Sequence, residues 1–343
     1  MKADHLAAAL CTAELLRTRT NLDHRLRSLI ISLVPGFDTR SPSSVVAGVA
    51  AACRNAGLSP AQRRFPRPRI EQARVIAEEW IARGVFLMNQ DRMVNPKAHR
   101  HNLPPIVFAW GRRSILDRPT VSILNSRTSR RVTPRDTWLA ATKTLFRVAA
   151  EKRPAVISSY GTVPYSVVSR LAYANGLPLI IACGDVLPFT KSSRRLEEFM
   201  RLYGDLFDLE RTLFLSPYPP GRMPPSRTRF VERDELVAAL SSVIMVAAVR
   251  EGGTMEAVTK RAARRRTGIT VFLPDRPDRS TSGNVAIVKD TPNGAIQTVT
   301  GGFQPLPVTV KQGGADRPRG RAPAVLTWRG WPKKGSWLIH YAR

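Results

Sequence analysis

Acidic residues are scarce in this chain of 343 residues: there are 26 Asp and Glu against 54 Lys and Arg, which gives a formal net charge of +28. A surplus of this size favours polyanionic partners, nucleic acid first and anionic membrane second. A codon bias toward arginine would raise the same count. It would not explain why the arginines cluster, as they do in 63–69 ("RRFPRPR") and in 261–266.

Cysteine is also scarce, and long apolar runs are missing. Cys11, Cys53 and Cys183 are odd in number and far apart, which argues against a disulfide framework and against a zinc site. The histidines have no Cys or carboxylate at ligand spacing, so neither a metal nor a cofactor is predicted. No signal peptide is recognisable, and the longest apolar stretch, 236–249, is too short to span a bilayer. A cytoplasmic protein without a membrane partner is expected.

The pattern of apolar residues divides the chain into three segments. Residues 1–100 are predicted to form a small helical domain, because apolar residues recur at spacings of three and four in "ADHLAAALCTAELLRTR" and "RIEQARVIAEEWIARG". From 101 to 300, short apolar runs alternate with helical segments, the last clear strand being "GITVFLP". This alternation predicts an α/β fold with a Rossmann-like, doubly wound, mostly parallel sheet. Residues 301–343 read as a basic tail that holds Trp328, Trp331 and Trp337.

Small polar and cationic loops follow three of the predicted strands, at the edge where doubly wound sheets bind their ligands. In "TVSILNSRTSRR" the strand stops at Ser126 and Arg127, whose backbone and guanidinium suit a phosphate. The second loop is "SSYG", 158–161, and the third is "REGGT", in which Gly252 and Gly253 would let a phosphate approach the backbone. A solvated arginine and a tight turn are the alternative interpretations.

A helical segment, "SRTRFVERDELVAAL", places an aromatic residue between two arginines. Arg229 and Arg233 are four residues apart and would share a helix face. With Phe230 between them, the group suits a base stacked on a ring with phosphates held beside it. Alternatively, Phe230 belongs to the core and Arg233 pairs with Glu232 or Asp234.

Motifs of common enzymes are missing. There is no Gly-x-Ser-x-Gly elbow and no phosphate-loop lysine motif. Glu256, just after the paired glycines, is the one carboxylate considered as an acid/base group. Charge stabilisation at a helix N-terminus is the alternative role for this side chain. The sequence therefore predicts a protein that is not an enzyme.

Taken in order, these motifs resemble the DNA-processing protein A (DprA/Smf) family from about residue 30 to about residue 300. The segment ending "TVSILNSR" is similar to the one that leads into the family's Gly-Ser-Arg turn. "LSPYPPGRMPPSRTRFVERDELVAAL" is similar to its Tyr-Pro-Pro loop and Phe-Pro-x-Arg-Asn-Arg helix. "GGTMEAVTKRAARRRTGITVF" resembles its Ser-Gly-containing helix and final strand, and "TSGNVAIVKDTPNGA" its closing Gly-Thr-Asn element.

The resemblance implies a Rossmann-like protein that binds single-stranded DNA in a basic pocket. It also implies a homodimer that protects the DNA and loads a RecA-type recombinase during natural transformation. Carried over by position, the expected DNA contacts are Ser126, Arg127, Phe230 and Arg233. With the loops and the helix added, the predicted nucleic-acid-binding set is Ser126, Arg127, Ser158, Gly161, Arg229, Phe230, Arg233, Gly252, Gly253 and Thr254.

The chain departs from the family pattern around this pocket. Asn125 replaces the first glycine of the turn, and the family's Ser-Gly-x-Ala-x-Gly-Ile-Asp loop is "SSYGTVPY" here, with Tyr165 in place of the aspartate. Asp234 and Glu235 replace the Asn-Arg that follows Arg233, which lowers the positive charge of the pocket. A divergent member of the family is therefore expected.

Two alternatives come from the same superfamily. One is a nucleotide-sensing module that binds a small signal molecule in the same pocket. The other is a nucleoside-monophosphate phosphoribohydrolase resembling the LOG group, whose Pro-Gly-Gly-x-Gly-Thr-x-x-Glu motif is similar to "EGGTMEAV". In that comparison the glycine spacing differs and Glu256 falls one residue early.

Overall fold

The computed structural model describes residues 6, 9, 67–88, 104, 106, 107–126, 133, 136–185, 187, 195–218, 226–265, 267–291, 296–301, 326–327 and 340–341. The helices are α1 (Arg67–Ala82), α2 (Thr137–Ala150), α3 (Val163–Ala174), α4 (Arg195–Tyr203), α5 (Ser226–Leu240), α6 (Thr254–Arg264) and α7 (Ser282–Asp290). The strands are β1 (Phe86–Met88), β2 (Val107–Gly111), β3 (Thr120–Asn125), β4 (Ala155–Ser159), β5 (Leu179–Ala182), β6 (Thr212–Ser216), β7 (Val243–Ala248), β8 (Gly268–Pro274), β9 (Ile296–Gly301), β10 (Leu326–Thr327) and β11 (His340–Tyr341).

One nine-stranded sheet organises the fold, in the order β1-β2-β6-β5-β4-β3-β7-β8-β9. Every pairing from β6 to β9 is parallel, whereas β1 and β2 join the edge in antiparallel fashion. Strand order reverses at β3, which has β4 on one side and β7 on the other. The predicted doubly wound, mostly parallel sheet is confirmed.

Different helices cover the two faces of the sheet, because successive residues of a strand point to opposite sides. Ile123 of β3 lies in one apolar cluster with Leu145 of α2 and with residues of α1, α3 and α4. Its neighbour Leu124 lies in the other cluster, with Leu236 of α5 and residues of α6 and α7. The central strands are buried on both faces, which explains their nearly continuous apolar sequences.

Buried hydroxyl groups hold β7 against β3 at the point where strand order reverses. The Thr120 hydroxyl donates to the Leu240 carbonyl (2.6 Å) and accepts the Ser242 N–H (2.9 Å). The Ser241 hydroxyl donates to the Ser122 hydroxyl at 2.8 Å. Because the partners are far apart in sequence, these bonds set the register of the two strands whose ends form the crevice described below.

The sheet begins earlier in the chain and ends later than the predicted strands. Within the segment predicted as helical, α1 is a helix, but β1 pairs with β2 in the main sheet. A three-residue strand is too short to produce a periodic signal. Beyond β8, α7 packs on the sheet and β9 adds a further parallel strand. The division of the chain into three domains stays a prediction.

In the C-terminal segment, β10 pairs with β11 as a separate two-stranded antiparallel sheet. Trp328, Trp331 and Trp337 of the predicted basic tail lie outside the described residues. Within the described part of the chain, no helix combines the length and the apolar character needed to cross a membrane.

Candidate nucleic-acid interface

The carboxyl ends of the parallel strands meet at one edge of the sheet, which we call the carboxyl edge. The reversal of strand order at β3 opens a crevice there between β3 and β7, the position at which doubly wound folds bind ligands. The loops predicted from the sequence after β3, β4 and β7 all reach this edge. The N-terminal part of α5 also reaches it, beside the end of β5, as the contacts of Gly184 show below.

Ser126 bridges the two strands of the crevice. Its backbone N–H donates to the Ala248 carbonyl at 2.7 Å, which continues the parallel pairing by one residue. Its hydroxyl oxygen accepts the N–H of Arg250 at 2.9 Å. Accepting this bond leaves the hydroxyl proton of Ser126 to be donated elsewhere. Arg127, the predicted phosphate contact next to it, lies outside the described residues.

The glycine loop after β7 is present, but its amides already have acceptors. Gly252 adopts a left-handed φ of +70° and donates its N–H to the Glu256 carboxylate. Gly253 donates to the Arg250 carbonyl at 3.2 Å and accepts from the N–H of Ala257. A phosphate could bind these two amides only by displacing their present partners. Thr254, the first residue of α6, is exposed beside them.

The two predicted contacts after β4 differ in accessibility. Ser158 is completely buried, and its hydroxyl donates to the Tyr165 carbonyl at 2.9 Å, so it lies beneath the surface that a nucleic acid would touch. Gly161 is exposed, with a φ of +83° and open space where a side chain would begin. Of the two, the structure leaves only Gly161 accessible to a ligand.

Helix α5 brings Arg229, Phe230 and Arg233 together, as their spacing predicts. The Phe230 ring is 37% exposed, whereas Arg233 is only 4% exposed. The Arg233 guanidinium lies between two rings, 5.0 Å from the centre of Phe230 and 4.8 Å from that of Tyr165. Gly184, just after β5, faces both side chains: a methyl group there would lie 3.5 Å from Arg233 and 3.7 Å from Phe230. These are ordinary van der Waals distances, and they place Arg233 and Phe230 beside the backbone just after β5.

Asp234 neutralises Arg233. One oxygen of its carboxylate accepts from Nε (2.9 Å) and from a terminal nitrogen (2.7 Å) of the guanidinium, and also from the Tyr165 hydroxyl at 2.8 Å. Tyr165 belongs to α3, on the opposite face of the sheet from α5, so this bond joins the two helical layers across the carboxyl edge. Arg233 thus pairs with Asp234, one of the two partners that the sequence left open. Because its charge is neutralised and its side chain is buried, Arg233 is a weaker candidate for a DNA contact than the sequence alone suggests.

A second acid, Asp185, faces Arg229. The Tyr160 hydroxyl donates to one carboxylate oxygen of Asp185, and a terminal nitrogen of Arg229 lies 3.9 Å from the other. The Arg229 side chain is 22% exposed, and its buried Nε finds no acceptor among the described residues. Asp185 therefore compensates Arg229 less completely than Asp234 compensates Arg233.

Burial is the largest influence on the pKa values of Arg233 and of its two hydrogen-bonded neighbours, Asp234 and Tyr165. It raises the pKa of Asp234 above the ordinary 3.8, since Arg233 and Tyr165 only partly offset the loss of solvent. It also raises the pKa of Tyr165 well above the usual 10.0, with Asp234 acting in the same direction. Burial opposes the charge on Arg233, but Tyr165 and Asp234 outweigh it and raise the pKa of the guanidinium. At neutral pH, Tyr165 is therefore a hydrogen-bond donor and Arg233 a cation.

Glu256 lies in the first turn of α6 and is 6% exposed. Its carboxylate accepts the Gly252 N–H and forms an ion pair with Lys260. These contacts stabilise the start of the helix, the alternative that the sequence left open. Among the described residues, no cluster of His, Cys, Asp or Glu is arranged to hold a metal ion.

Three residues of this edge make contacts that their local sequence does not indicate: Tyr160, Asp185 and Asn284. Asp185 follows the strand "LPLIIACG", and its position just beyond a strand end could have identified it as a candidate site residue, although not its contact with Arg229. For Asn284 no such signal exists, since it hydrogen-bonds to residues 247, 249 and 272. Only the packing of α7 against β7 and β8 reveals its role.

Comparisons with known proteins identify the family and the fold. The family model for DNA recombination-mediator protein A matches residues 87–300. The structure of DNA processing protein A from Streptococcus pneumoniae matches with a TM-score of 0.60 and 17% identity, covering 86% of this chain and 94% of that one. At this identity the match supports the fold.

A second structure, which concerns the single-stranded DNA binding mode of DNA processing protein A from Helicobacter pylori, gives a TM-score of 0.44 and 21% identity. It covers 62% of this chain and 90% of that one. No curated protein matches the chain significantly. On the match of the family model over residues 87–300, the chain belongs to the DNA recombination-mediator protein A family.

Proposed function

We propose that the carboxyl edge binds single-stranded DNA, with Phe230 as a stacking platform for a base and with the neighbouring arginines as phosphate contacts. One observation carries the proposal: Phe230 is 37% exposed and follows Arg229, whose side chain is 22% exposed and lies 3.9 Å from the Asp185 carboxylate. A base can stack on the exposed part of the Phe230 ring while a phosphate oxygen pairs with the accessible part of the Arg229 guanidinium. Membership of the family supports a role in DNA processing.

The remaining predicted contacts extend this surface. Ser126 and Thr254 are accessible on either side of the β3–β7 crevice, and Gly161 lies at the end of β4. Arg127, directly after Ser126, would add a cation at the same point. A backbone that runs along these positions would cross the carboxyl edge from β7 toward β5. Stacking on a ring requires an unpaired base, which favours single strands over duplex.

We infer further that the protein acts as a homodimer in the cytoplasm, protects the bound strand and loads a RecA-type recombinase onto it, in natural transformation. These steps follow from the family resemblance. Sedimentation of the purified protein over a concentration series tests the dimer. Strand exchange by a RecA-type recombinase, on DNA coated with a single-strand-binding protein, tests loading. A monomer at all concentrations, or exchange that the protein does not accelerate, would refute the respective step.

Nucleotide sensing is the second candidate, and the two acids favour it. Asp185 and Asp234 reduce the positive charge at the end of β5, which weakens the attraction for a polyanion more than that for a small ligand. This candidate predicts a nucleotide that copurifies with the protein and is visible by mass spectrometry. The phosphoribohydrolase alternative gains no support, because the Glu256 carboxylate is engaged at the start of α6.

The first experiment measures fluorescence anisotropy of labelled single- and double-stranded oligonucleotides with the parent protein and with Phe230→Ala. Loss of one stacked base costs about 1–3 kcal/mol, so single-strand affinity is expected to fall by about 5- to 150-fold. Duplex binding should change little, because the bases of a duplex are already stacked on each other. Arg127→Glu is expected to weaken binding to single strands as well.

Two matched variants control this experiment. Val231→Ala truncates the next residue of α5, which is equally exposed, and is expected to bind like the parent. Arg147→Glu makes the same charge change as Arg127→Glu at an exposed position near the end of α2, at the opposite edge of the sheet. If Phe230→Ala binds single strands as tightly as Val231→Ala does, the stacking platform is refuted.

A further inference from the structure

The loop between β7 and α6, residues 249–253, has every backbone amide hydrogen-bonded within the protein. Three acceptors are side chains from elsewhere in the chain, and two lie within the loop or in the first turn of α6. In order along the loop, the acceptors are Asn284 Oδ1 (2.8 Å), Ser126 Oγ (2.9 Å), Ser282 Oγ (3.1 Å), the Glu256 carboxylate and the Arg250 carbonyl (3.2 Å). The amides therefore hold the loop in place and are not free to receive a phosphate.

The first turn of α7 supplies two of these five acceptors and one further hydrogen bond through three consecutive residues, Ser282, Gly283 and Asn284, which we call the α7 clamp. Ser282 accepts the N–H of residue 251. Gly283 donates its own N–H to the Val249 carbonyl at 2.8 Å. Asn284 accepts the Val249 N–H at 2.8 Å. On the other side of the loop, the end of β3 holds it through Ser126.

Asn284 uses its whole amide group and is completely buried. While its oxygen accepts from Val249, its nitrogen donates to the Ala247 carbonyl of β7 at 3.0 Å and to the Phe272 carbonyl of β8 at 2.7 Å. A buried site that requires one acceptor and two donors fits an asparagine, whereas an aspartate would set a carboxylate against two carbonyl oxygens. The side chain thus ties the ends of two strands to the loop.

Gly283 explains how α7 approaches the loop so closely. A methyl group at this position would lie 2.8 Å from the Arg250 carbonyl carbon and from two carbonyl oxygens, those of Val249 and Arg250. Real side chains do not tolerate such contacts with backbone atoms, so only glycine permits this packing. The close approach therefore places α7 directly against the backbone at Val249 and Arg250.

The exposed side chain of Arg250 lies at the carboxyl edge, next to Ser126 and at the mouth of the β3–β7 crevice. We propose that Arg250 is a further phosphate contact for the bound strand and that the α7 clamp is the positioning device that holds it there. This inference rests on the proposed single-stranded DNA binding. A guanidinium on a rigid backbone loses less conformational freedom when it binds, so the clamp raises affinity without touching the DNA.

A double-mutant cycle tests this inference by anisotropy of a labelled single-stranded oligonucleotide over a salt series. Arg250→Ala is expected to weaken binding by about 10-fold and to reduce the slope of log K against log salt by about 0.7, the value for one phosphate contact on a single strand. Asn284→Ala is expected to reduce the slope equally. Because both variants remove the same contact, the double variant should lose no more affinity than Arg250→Ala alone.

Ser282→Ala keeps the test decisive if Asn284→Ala fails to fold, since Ser282 is partly exposed and loses two hydrogen bonds, one from the N–H of residue 251 and one to the Arg279 carbonyl. Hydrogen exchange of the amides at 249 and 251 should be faster in the clamp variants even without DNA. A clamp variant with an unchanged salt slope, additive losses of affinity in the cycle, or unchanged exchange would each overturn the proposal.

The parent protein and Phe230→Ala separate the two levels of inference. If the parent binds single strands and Phe230→Ala weakens that binding, the proposed function stands, and the Arg250 and Asn284 variants alone decide the role of the clamp. If the parent does not bind single strands at any salt concentration, the proposed function fails and the Arg250 contact falls with it.

Discussion

At the level of single residues, the arginines of the carboxyl edge differ in how completely a neighbouring carboxylate neutralises them. Asp234 holds Arg233 with two hydrogen bonds inside the protein, whereas Asp185 lies 3.9 Å from Arg229, which keeps partial access to solvent. A buried ion pair contributes little net free energy, and its arginine is poorly available to an external phosphate. We therefore expect Arg229 to contribute more to binding than Arg233.

Asp234→Asn is expected to tighten binding to single-stranded DNA by about 3- to 10-fold, because the Arg233 charge is then no longer neutralised. The asparagine oxygen can still accept from Arg233 and Tyr165, so the free energy of unfolding should fall by only about 1–3 kcal/mol. Anisotropy and urea denaturation measure the two effects. Glu235→Gln makes the same charge change on the same helix, where Glu235 pairs with Arg261 of α6. Equal tightening by both variants would mean that only net charge matters.

The pH dependence gives an independent check of the same carboxyl group. Burial raises the pKa of Asp234, so the group takes up a proton at a higher pH than an ordinary aspartate at 3.8. The folded state then binds this proton more tightly than the unfolded state, and the stability that Asp234 contributes rises as the pH falls through the raised pKa. As the pH falls toward the raised pKa of Asp234, single-strand binding should strengthen more in the parent than in Asp234→Asn. Parallel pH profiles would refute this assignment.

At the level of whole elements, α1 and β1 belong with the sheet although they come from the segment predicted as a separate helical domain. Trp80 of α1 is 3% exposed and meets the Phe108 ring of β2 edge-on, with centroids 5.4 Å apart. Trp110 of β2 donates its indole N–H to the Arg83 carbonyl just after α1 at 2.9 Å. These contacts join α1 to the sheet directly.

Trp80→Ala is expected to lower the free energy of unfolding by about 3–5 kcal/mol, the usual cost of removing a large buried aromatic side chain. Because Trp80 packs on β2, the whole sheet should unfold in one transition at a lower urea concentration. Val75→Ala on the same helix, where Val75 is 64% exposed, is the control and should change stability by less than about 0.5 kcal/mol. A separate early transition in the Trp80→Ala variant would instead indicate that α1 unfolds independently of the sheet.

For the whole molecule, the net charge of +28 creates a field that attracts any nucleic acid. Such attraction is weakened by salt and does not distinguish single strands from duplex. The contacts that we propose at the carboxyl edge, by contrast, depend on a stacked base. We therefore distinguish two contributions to binding. The net charge causes a general attraction for nucleic acid, and Phe230 with its neighbours is proposed to cause a preference for single strands.

The ratio of duplex to single-strand dissociation constants is expected to rise as salt increases from about 50 to about 200 mM, because screening removes the general attraction first. In Phe230→Ala the ratio should be lower than in the parent at every salt concentration, because single strands lose the stacked base and duplex does not. Anisotropy titrations at each salt concentration give both constants. A ratio that falls with salt in the parent would show that charge, and not a stacked base, causes the preference for single strands.

Much of the fold follows from local sequence. Short apolar runs between helical segments predict β2 to β8 and a parallel sheet, because side-chain periodicity and strand length are local properties. The positions of Ser126, Gly161 and Gly252 at strand ends follow from the same pattern, since parallel strands bring their carboxyl ends to one edge. β1 is the exception, because three residues carry no measurable period.

The pairing of charges at the site does not follow from local sequence. Asp185 meets Arg229, Tyr165 meets Asp234, and Asn284 meets the loop at 249 because α3, α5 and α7 are placed by the strand order of the sheet. Each of these contacts joins residues from different elements, and no periodicity encodes it. The sequence alone thus predicts the sheet and the edge proposed to bind a ligand, whereas the three-dimensional packing determines which arginines are buried in ion pairs and which keep access to solvent.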